Sequence, residues 1–133
     1  MNIRVYYEDT DAGGVVYNAN YLKFAERGRT EFLRETGFQS SSLHEEHGTI
    51  FVVRHVEIDY LKPAHLDDVL ELRTSIEALR NSSFTMRQQV FKDGGLITDM
   101  HVVLVCVDVD QYSAVRIPEG VKSAFQGFVE SVE

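Results

Sequence analysis

The chain has 133 residues, of which 44% are hydrophobic, as expected for one globular domain with a buried core. Its formal net charge of -8 argues against nucleic-acid binding, which needs a surplus of Lys and Arg to neutralise phosphates. It has no apolar run of the ~20 residues that cross a bilayer, no secretory signal and a single cysteine, Cys106. These features predict a cytoplasmic protein without membrane insertion, folded as one domain over residues 1–133.

The first predicted elements are a short strand at residues 3–8 and a glycine-bearing turn. The best helical segment of the chain follows, from about Asn18 to Thr36, where apolar or small side chains recur at three- and four-residue steps. Asn18 or Asn20 is placed to cap its start, and Gly37 is placed to end it.

After the helix the hydrophobic period changes to two, which is typical of strands. Four strands are predicted, at residues 55–60, 70–78, 84–91 and 96–109, and Pro118 is expected to open a short C-terminal helix. The last strand is apolar in its second half, which indicates a central strand covered on both faces. This order predicts an α+β fold, with a curled antiparallel sheet of five strands wrapped around one long central helix.

The segment Tyr6–Tyr21, YYEDTDAGGVVYNANY, carries the candidate chemistry. It places Asp11 in a loop just before the helix, whose first N–H groups and positive dipole end can polarise a carbonyl group. A carboxylate there can activate water as a general base or attack as a nucleophile. From the residues alone, caps of turns and of the helix are the simpler interpretation of Asp9 and Asp11.

Together with FAERGRTE at residues 24–31, this segment resembles the signature of the 4-hydroxybenzoyl-CoA thioesterase branch of the hotdog proteins. More closely, it is similar to the YbgC-type acyl-CoA thioesterases encoded with the bacterial Tol–Pal system. The resemblance implies a hotdog fold and hydrolysis of acyl-CoA to a free carboxylic acid and CoA, with no cofactor beyond the CoA of the substrate. It makes Asp11 the catalytic carboxylate and the backbone N–H of Asn18 the group that polarises the carbonyl.

One position departs from the family pattern. Many YbgC-like proteins carry a His where this chain has Asn18, and the amide of Asn cannot exchange a proton near neutral pH. The backbone role of this position does not depend on its side chain. Tyr17 is a further candidate, although an unperturbed phenol is a poor acid at neutral pH and packing is the simpler role.

The phosphates of CoA need nearby Arg or Lys side chains. Candidates for binding the substrate are Gly14, where a ligand can approach the backbone closely, and Arg54, Lys62, Arg80, Ser82 and Arg116. For any one of these arginines a surface ion pair is the simpler explanation.

Alternative functions remain open from the sequence. The same hydrolysis could act on an acyl carrier protein, or the chain could be a binding or scaffold protein for acyl-CoA with weak or no catalysis. His44 and His47 lie three positions apart, whereas a zincin helix needs four, and no metal site is expected. Exposed sheet edges are normally covered, and the resemblance implies a homodimer joined edge to edge or a homotetramer, with sites at the interface.

Overall fold

The computed structural model describes residues 1–129, and within them five strands form one antiparallel sheet in the order β1-β3-β4-β5-β2. The strands are β1 (Asn2–Arg4), β2 (Thr49–Tyr60), β3 (Val69–Leu79), β4 (Ser83–Lys92) and β5 (Gly95–Asp108). The α-helices are α1 (Asn20–Glu35), α2 (Ser40–Ser42) and α3 (Glu119–Gln126). The predicted α+β class, with a curled antiparallel sheet against a central helix, is confirmed.

Helix α1 buries one side against the sheet. Tyr21, Phe24, Ala25, Gly28 and Phe32 are all buried, which is the stripe that the three- and four-residue spacing predicts. At its centre the helix comes close to β3, since a Cβ at position 28 would lie 2.3 Å from a methyl carbon of Leu72. This contact explains why a glycine occupies the middle of the helix.

The prediction for α1 is wrong at the start of the helix and confirmed at its end. The helix has 16 residues, fewer than predicted, and its N-cap is Ala19, without a side-chain cap. Neither asparagine caps it, and the Asn20 side chain instead donates to the Glu8 carbonyl at 3.4 Å. At the other end the prediction is confirmed: Gly37 has a φ of +97°, and the Phe38 N–H reaches back to the Leu33 carbonyl at 3.2 Å.

A buried amide fixes the helix on the sheet. Gln88 of β4 is fully buried, and its Nε2 donates to the Ala25 carbonyl at 2.9 Å and to the Thr74 hydroxyl at 3.1 Å. Its Oε1 accepts from the Arg29 guanidinium at 3.0 Å. With both ends of the amide bonded, α1, β3 and β4 are tied together at one point of the core.

The first predicted strand is wrong beyond Arg4. Residues Tyr7–Asp9 form a 3₁₀ turn, because side chains there compete for the backbone groups that a strand would use. The Asp9 carboxylate accepts the Tyr6 N–H at 2.9 Å, and the Thr10 hydroxyl donates to the Tyr7 carbonyl at 2.9 Å.

The four later strands are confirmed, with one underestimated in length. Strand β2 begins at Thr49, and a register shift between Val53 and His55 interrupts its pairing with β5. This bulge breaks the alternation that marks the strand in the sequence. In β5, the four consecutive residues Leu104–Val107 are all buried, so its second half is covered on both faces as predicted.

The C-terminal part closes one end of the core. Pro118 is the N-cap of α3, as predicted, and Phe125 of this helix packs against the rings of Phe32, Phe51 and Phe84. Within residues 1–129, no helix is long and apolar enough to cross a membrane.

Candidate active site

Residues 9–17 form a narrow antiparallel hairpin that leads into α1. Thr10 and Val16 form a β-bridge, and on either side of it the Asp11 N–H donates to the Val15 carbonyl and the Tyr17 N–H to the Asp9 carbonyl, both at 2.9 Å. Residues 12–14 therefore make a tight turn, and Gly14 takes a φ of +81° that favours glycine.

The Asp11 side chain lies on this turn and is exposed. Its Oδ1 accepts the N–H groups of Gly13 at 2.8 Å and Val15 at 3.4 Å. Among residues 1–129, no group donates to Oδ2. Asp11 thus stabilises its own turn, as the simpler interpretation expected, and does not cap the helix; one carboxylate oxygen stays available to a ligand.

The hairpin is held against the sheet by the loop that follows β2. The Val16 N–H donates to the Ala64 carbonyl at 2.8 Å, and Val15 forms a bridge with His65. Val16 and Ala64 are buried. The exposed turn that carries Asp11 therefore has a rigid base.

The two residues just before α1 present unbonded backbone donors. The Asn20 N–H donates to the Tyr17 carbonyl at 2.8 Å, and the Tyr21 N–H to the Asn18 carbonyl at 3.3 Å. In the part of the chain that the structure describes, the N–H groups of Asn18 and Ala19 have no acceptor. Such free donors at a helix start can bind a negatively charged oxygen.

The sequence identified the Asn18 N–H but missed the Ala19 N–H. It also missed Tyr60, whose side chain contacts this helix start. The Tyr60 hydroxyl donates to the Asn18 carbonyl at 3.2 Å, a contact across 42 positions that no local pattern marks. Tyr17 contributes backbone bonds, and its side chain is 57% exposed beside the hairpin.

The residues proposed to bind the substrate fall into separate places. Gly14 lies in the hairpin turn, and Lys62 lies two residues beyond the end of β2, at the same end of the sheet. Arg54 is exposed in the middle of β2, at the bulge. Arg80 and Ser82 lie in the turn between β3 and β4, at the opposite end.

That opposite end carries a group of cations. The Ile117 N–H donates to the Asn81 carbonyl, and the Lys122 ammonium to the Asn81 side-chain oxygen, both at 2.8 Å. Arg80, Arg116 and Lys122 therefore come together there, and no sequence pattern marks Lys122. An 11-residue strand such as β3 spans about 30 Å, so these cations lie far from Asp11 of the same chain.

A cleft of about 400 Å³ opens along α1, between the helix, β2 and α3. Its walls include Leu33 and the rings of Phe51, Phe84 and Phe125, and Glu26 and Arg29 stand at its polar side. Burial lowers the pKa of Arg29, and the charge of Glu26 opposes this effect. The volume and apolar lining are those of a small-molecule pocket.

Other candidate groups have structural surroundings. Cys106 is buried, and this burial raises the pKa of its thiol, in agreement with a packing role. No group of three or more His, Cys, Asp or Glu side chains within residues 1–129 is arranged to hold a metal ion.

Comparison with known proteins gives a consistent assignment. The model of the thioesterase-like superfamily matches residues 5–125. The chain is 42% identical to "Acyl-CoA thioesterase YbgC" of Haemophilus influenzae, over 92% of this chain and 90% of that protein.

Solved structures give the same picture. A probable thioesterase from Bartonella henselae is 39% identical and superposes with a TM-score of 0.85, over 89% of this chain and 97% of that one. A gentisyl-coenzyme A thioesterase is 30% identical, with a TM-score of 0.85, over 94% of this chain and 98% of that one. The expected hotdog fold and the resemblance seen in residues 6–31 are confirmed.

Proposed function

Because the chain belongs to the thioesterase-like superfamily, and within it to the YbgC acyl-CoA thioesterases, we propose that it hydrolyses acyl-CoA to a free carboxylic acid and CoA. The observation that carries this proposal is the placing of Asp11 on a rigid hairpin that ends in two unbonded N–H groups. A thioester hydrolase needs both parts: a base or nucleophile, and donors for the oxyanion.

In the proposed reaction the thioester carbonyl accepts the N–H of Asn18. Water attacks the carbonyl carbon, Asp11 takes the proton of that water through Oδ2, and the C–S bond breaks as the tetrahedral intermediate collapses. The CoA thiolate leaves and is protonated. In the alternative route Oδ2 attacks the carbonyl itself, and water then hydrolyses the mixed anhydride.

The distance between the two ends of the sheet favours a site made by two copies of the chain. Strand β2 is an edge strand of 12 residues and carries Val53, which is 45% exposed. Pairing of β2 with its own copy about a two-fold axis would cover this edge. It would also bring the hairpin of one copy towards the cleft and the Arg80 end of the other.

In this dimer, the acyl group lies in the cleft beside Phe51 and Phe84, and the phosphates of CoA meet the cations at the far end of the partner copy. Arg80 and Lys122, with the hydroxyl of Ser82, supply charge and hydrogen bonds for this purpose. Gly14 and Lys62 border the hairpin, where the pantetheine arm would pass.

The test is steady-state hydrolysis of acetyl-, hexanoyl-, palmitoyl- and benzoyl-CoA and of an acyl carrier protein thioester, followed with a thiol reagent. Wild type is expected to turn over at least one of them, and Asp11→Asn to lose about 10²-fold or more in kcat. Asn keeps an oxygen for the Gly13 N–H, so the variant should keep its fold. Absence of turnover on the whole panel would exclude the proposed activity.

The matched control is Asp93→Asn, in the second Asp-Gly turn of the chain, which is expected to hydrolyse like wild type. An Asp11→Asn variant as active as this control would remove Asp11 from the mechanism while leaving the activity in place. Label in the Asp11 carboxylate after a single turnover in ¹⁸O-water would establish the anhydride route with attack of water on the Asp11 carboxyl carbon, because general-base hydrolysis places the label only in the product acid.

A further inference from the structure

Tyr60 is the last residue of β2, and its side chain reaches back to the start of α1. Its hydroxyl donates to the Asn18 carbonyl at 3.2 Å, and its ring lies 5.7 Å from that of Tyr21, centroid to centroid. Tyr21 is buried in the core. The packed ring therefore supports Tyr60 from one side while its hydroxyl holds the backbone of the helix start.

The carbonyl that Tyr60 holds belongs to the peptide group between Asn18 and Ala19. No peptide bond of the described residues is cis, and in a planar trans peptide the N–H points opposite to the C=O. Fixing the Asn18 carbonyl therefore fixes the direction of the Ala19 N–H. A hydrogen bond to the carbonyl also polarises the peptide and strengthens that N–H as a donor.

The preceding peptide is held in the same way. The Tyr17 carbonyl accepts the Asn20 N–H at 2.8 Å, which fixes the N–H of Asn18. Two consecutive N–H groups are thus oriented through their carbonyls, and within residues 1–129 neither has an acceptor. The Tyr17 carbonyl is held by the helix alone, whereas the Asn18 carbonyl accepts both the Tyr21 N–H at 3.3 Å and the Tyr60 hydroxyl at 3.2 Å.

We propose that Tyr60 is a positioning residue for thioester hydrolysis: through the Asn18 carbonyl it aligns the Ala19 N–H as a second donor to the oxyanion. This inference rests on the proposed function and adds a residue that the helix start alone does not supply. Donors that are fixed before the reaction stabilise the transition state most, because no energy is spent on reorienting them during it.

The experiment is the variant Tyr60→Phe, which removes the hydroxyl and keeps the ring. With the best acyl-CoA substrate, kcat is expected to fall about three- to tenfold, the effect of one neutral hydrogen bond, with KM unchanged. The ¹³C resonance of the Asn18 carbonyl and the amide resonance of Ala19 are expected to move in the same variant. Tyr112→Phe, which alters an exposed tyrosine in the turn after β5, is the control and should change none of these.

Each other outcome contradicts the proposal. An unchanged kcat in Tyr60→Phe would show that the hydroxyl does not serve the reaction. A raised KM with an unchanged kcat would make Tyr60 a substrate-binding residue instead. Unchanged Asn18 and Ala19 resonances in Tyr60→Phe would show that the Tyr60 hydroxyl does not bind the Asn18 carbonyl in solution. If the wild-type protein shows no turnover, both the proposed function and this inference are rejected. If wild type and Tyr60→Phe are equally active, only this inference is rejected.

Discussion

Carboxylates near the site act on the backbone around them. Asp9 accepts the N–H of Tyr6, Asp11 accepts those of Gly13 and Val15, and Asp68 accepts that of His65 at 2.8 Å. Each of these bonds closes a turn by giving a backbone N–H an acceptor that no neighbouring strand or helix supplies. These carboxylates therefore stabilise the shape of the hairpin region in the absence of substrate.

Asp68 combines this role with an ion pair. Its Oδ2 lies 2.9 Å from the Lys92 ammonium. Desolvation works to raise its pKa, but the hydrogen bonds from Lys92 and the His65 N–H, with the charges of both residues, outweigh it and hold the pKa below its usual value. The folded state therefore favours the ionised carboxylate.

We expect Asp68→Asn to lower the free energy of unfolding by about 1 kcal/mol at pH 7. Because the folded-state pKa is depressed, the stabilisation is present above the usual Asp pKa of about 3.9 and is lost as the pH falls through the folded-state value. Urea unfolding at pH 7 and at about pH 2 measures this, and the two proteins should converge at the lower pH. Asp110→Asn, in an exposed turn, is the control; a difference that persists at low pH would contradict the explanation.

At the scale of elements, the contact between α1 and β3 depends on the absence of a side chain at Gly28. A Cβ there would lie 2.3 Å from Leu72 Cδ2 and 3.0 Å from Gln88 Nε2. Gln88 is the amide that joins the helix to the sheet. A side chain at position 28 would therefore disturb both the close packing of α1 on β3 and the hydrogen bonds of Gln88.

Gly28→Ala is expected to destabilise the protein by about 1–3 kcal/mol, because overpacking outweighs the higher helix propensity of alanine. The matched control is Gly120→Ala in α3, where the nearest atom to the new Cβ is 3.8 Å away, and where a small gain in stability is expected. Chemical unfolding of both variants gives the comparison. Equal effects at the two positions would mean that the helix can shift away from β3 at no cost.

The elements that the sequence predicted well are those with a regular hydrophobic period. Helix α1 and strands β3–β5 follow such a period, and Gly37 ends the helix as expected. The errors lie where side chains bind the backbone or where pairing is irregular: Asp9 and Thr10 convert the end of the first strand into a 3₁₀ turn, and a bulge hides the first half of β2. These effects depend on individual contacts, which a hydrophobic pattern does not record.

At the scale of the whole molecule, the candidate site divides into a predictable and an unpredictable part. The motif located Asp11 and Asn18, since both belong to one continuous segment. Tyr60 and Lys122 reach their positions through contacts across 42 and 41 positions, so only the fold reveals them. The fold also separates Arg80 from Asp11, which their residue types could not indicate.

The proposed dimer gives a prediction at this scale. Val53→Glu places a carboxylate of each copy in the proposed interface, and we expect it to weaken dimerisation on the order of a hundredfold and, because Val53 also lines the cleft, to lower hydrolysis in the dimer as well as in the monomer. Sedimentation velocity over a range of concentrations measures the first effect. Val69→Glu, at a position 46% exposed on β3, is the control. A Val53→Glu protein that still dimerises like wild type would show that β2 is not the dimer interface.

The hairpin of residues 9–17 is closed by its own backbone and by the Ala64 loop, whereas the cleft is lined by side chains of α1, β2, β4 and α3. Substitutions during evolution can therefore alter the cleft without altering the hairpin. Substitutions at cleft positions such as Phe51 or Phe84 change the shape offered to an acyl group without touching a hydrogen bond of the hairpin. Proteins that descend from one ancestral chain can therefore differ in the acyl group they accept while they keep the same hairpin and helix start.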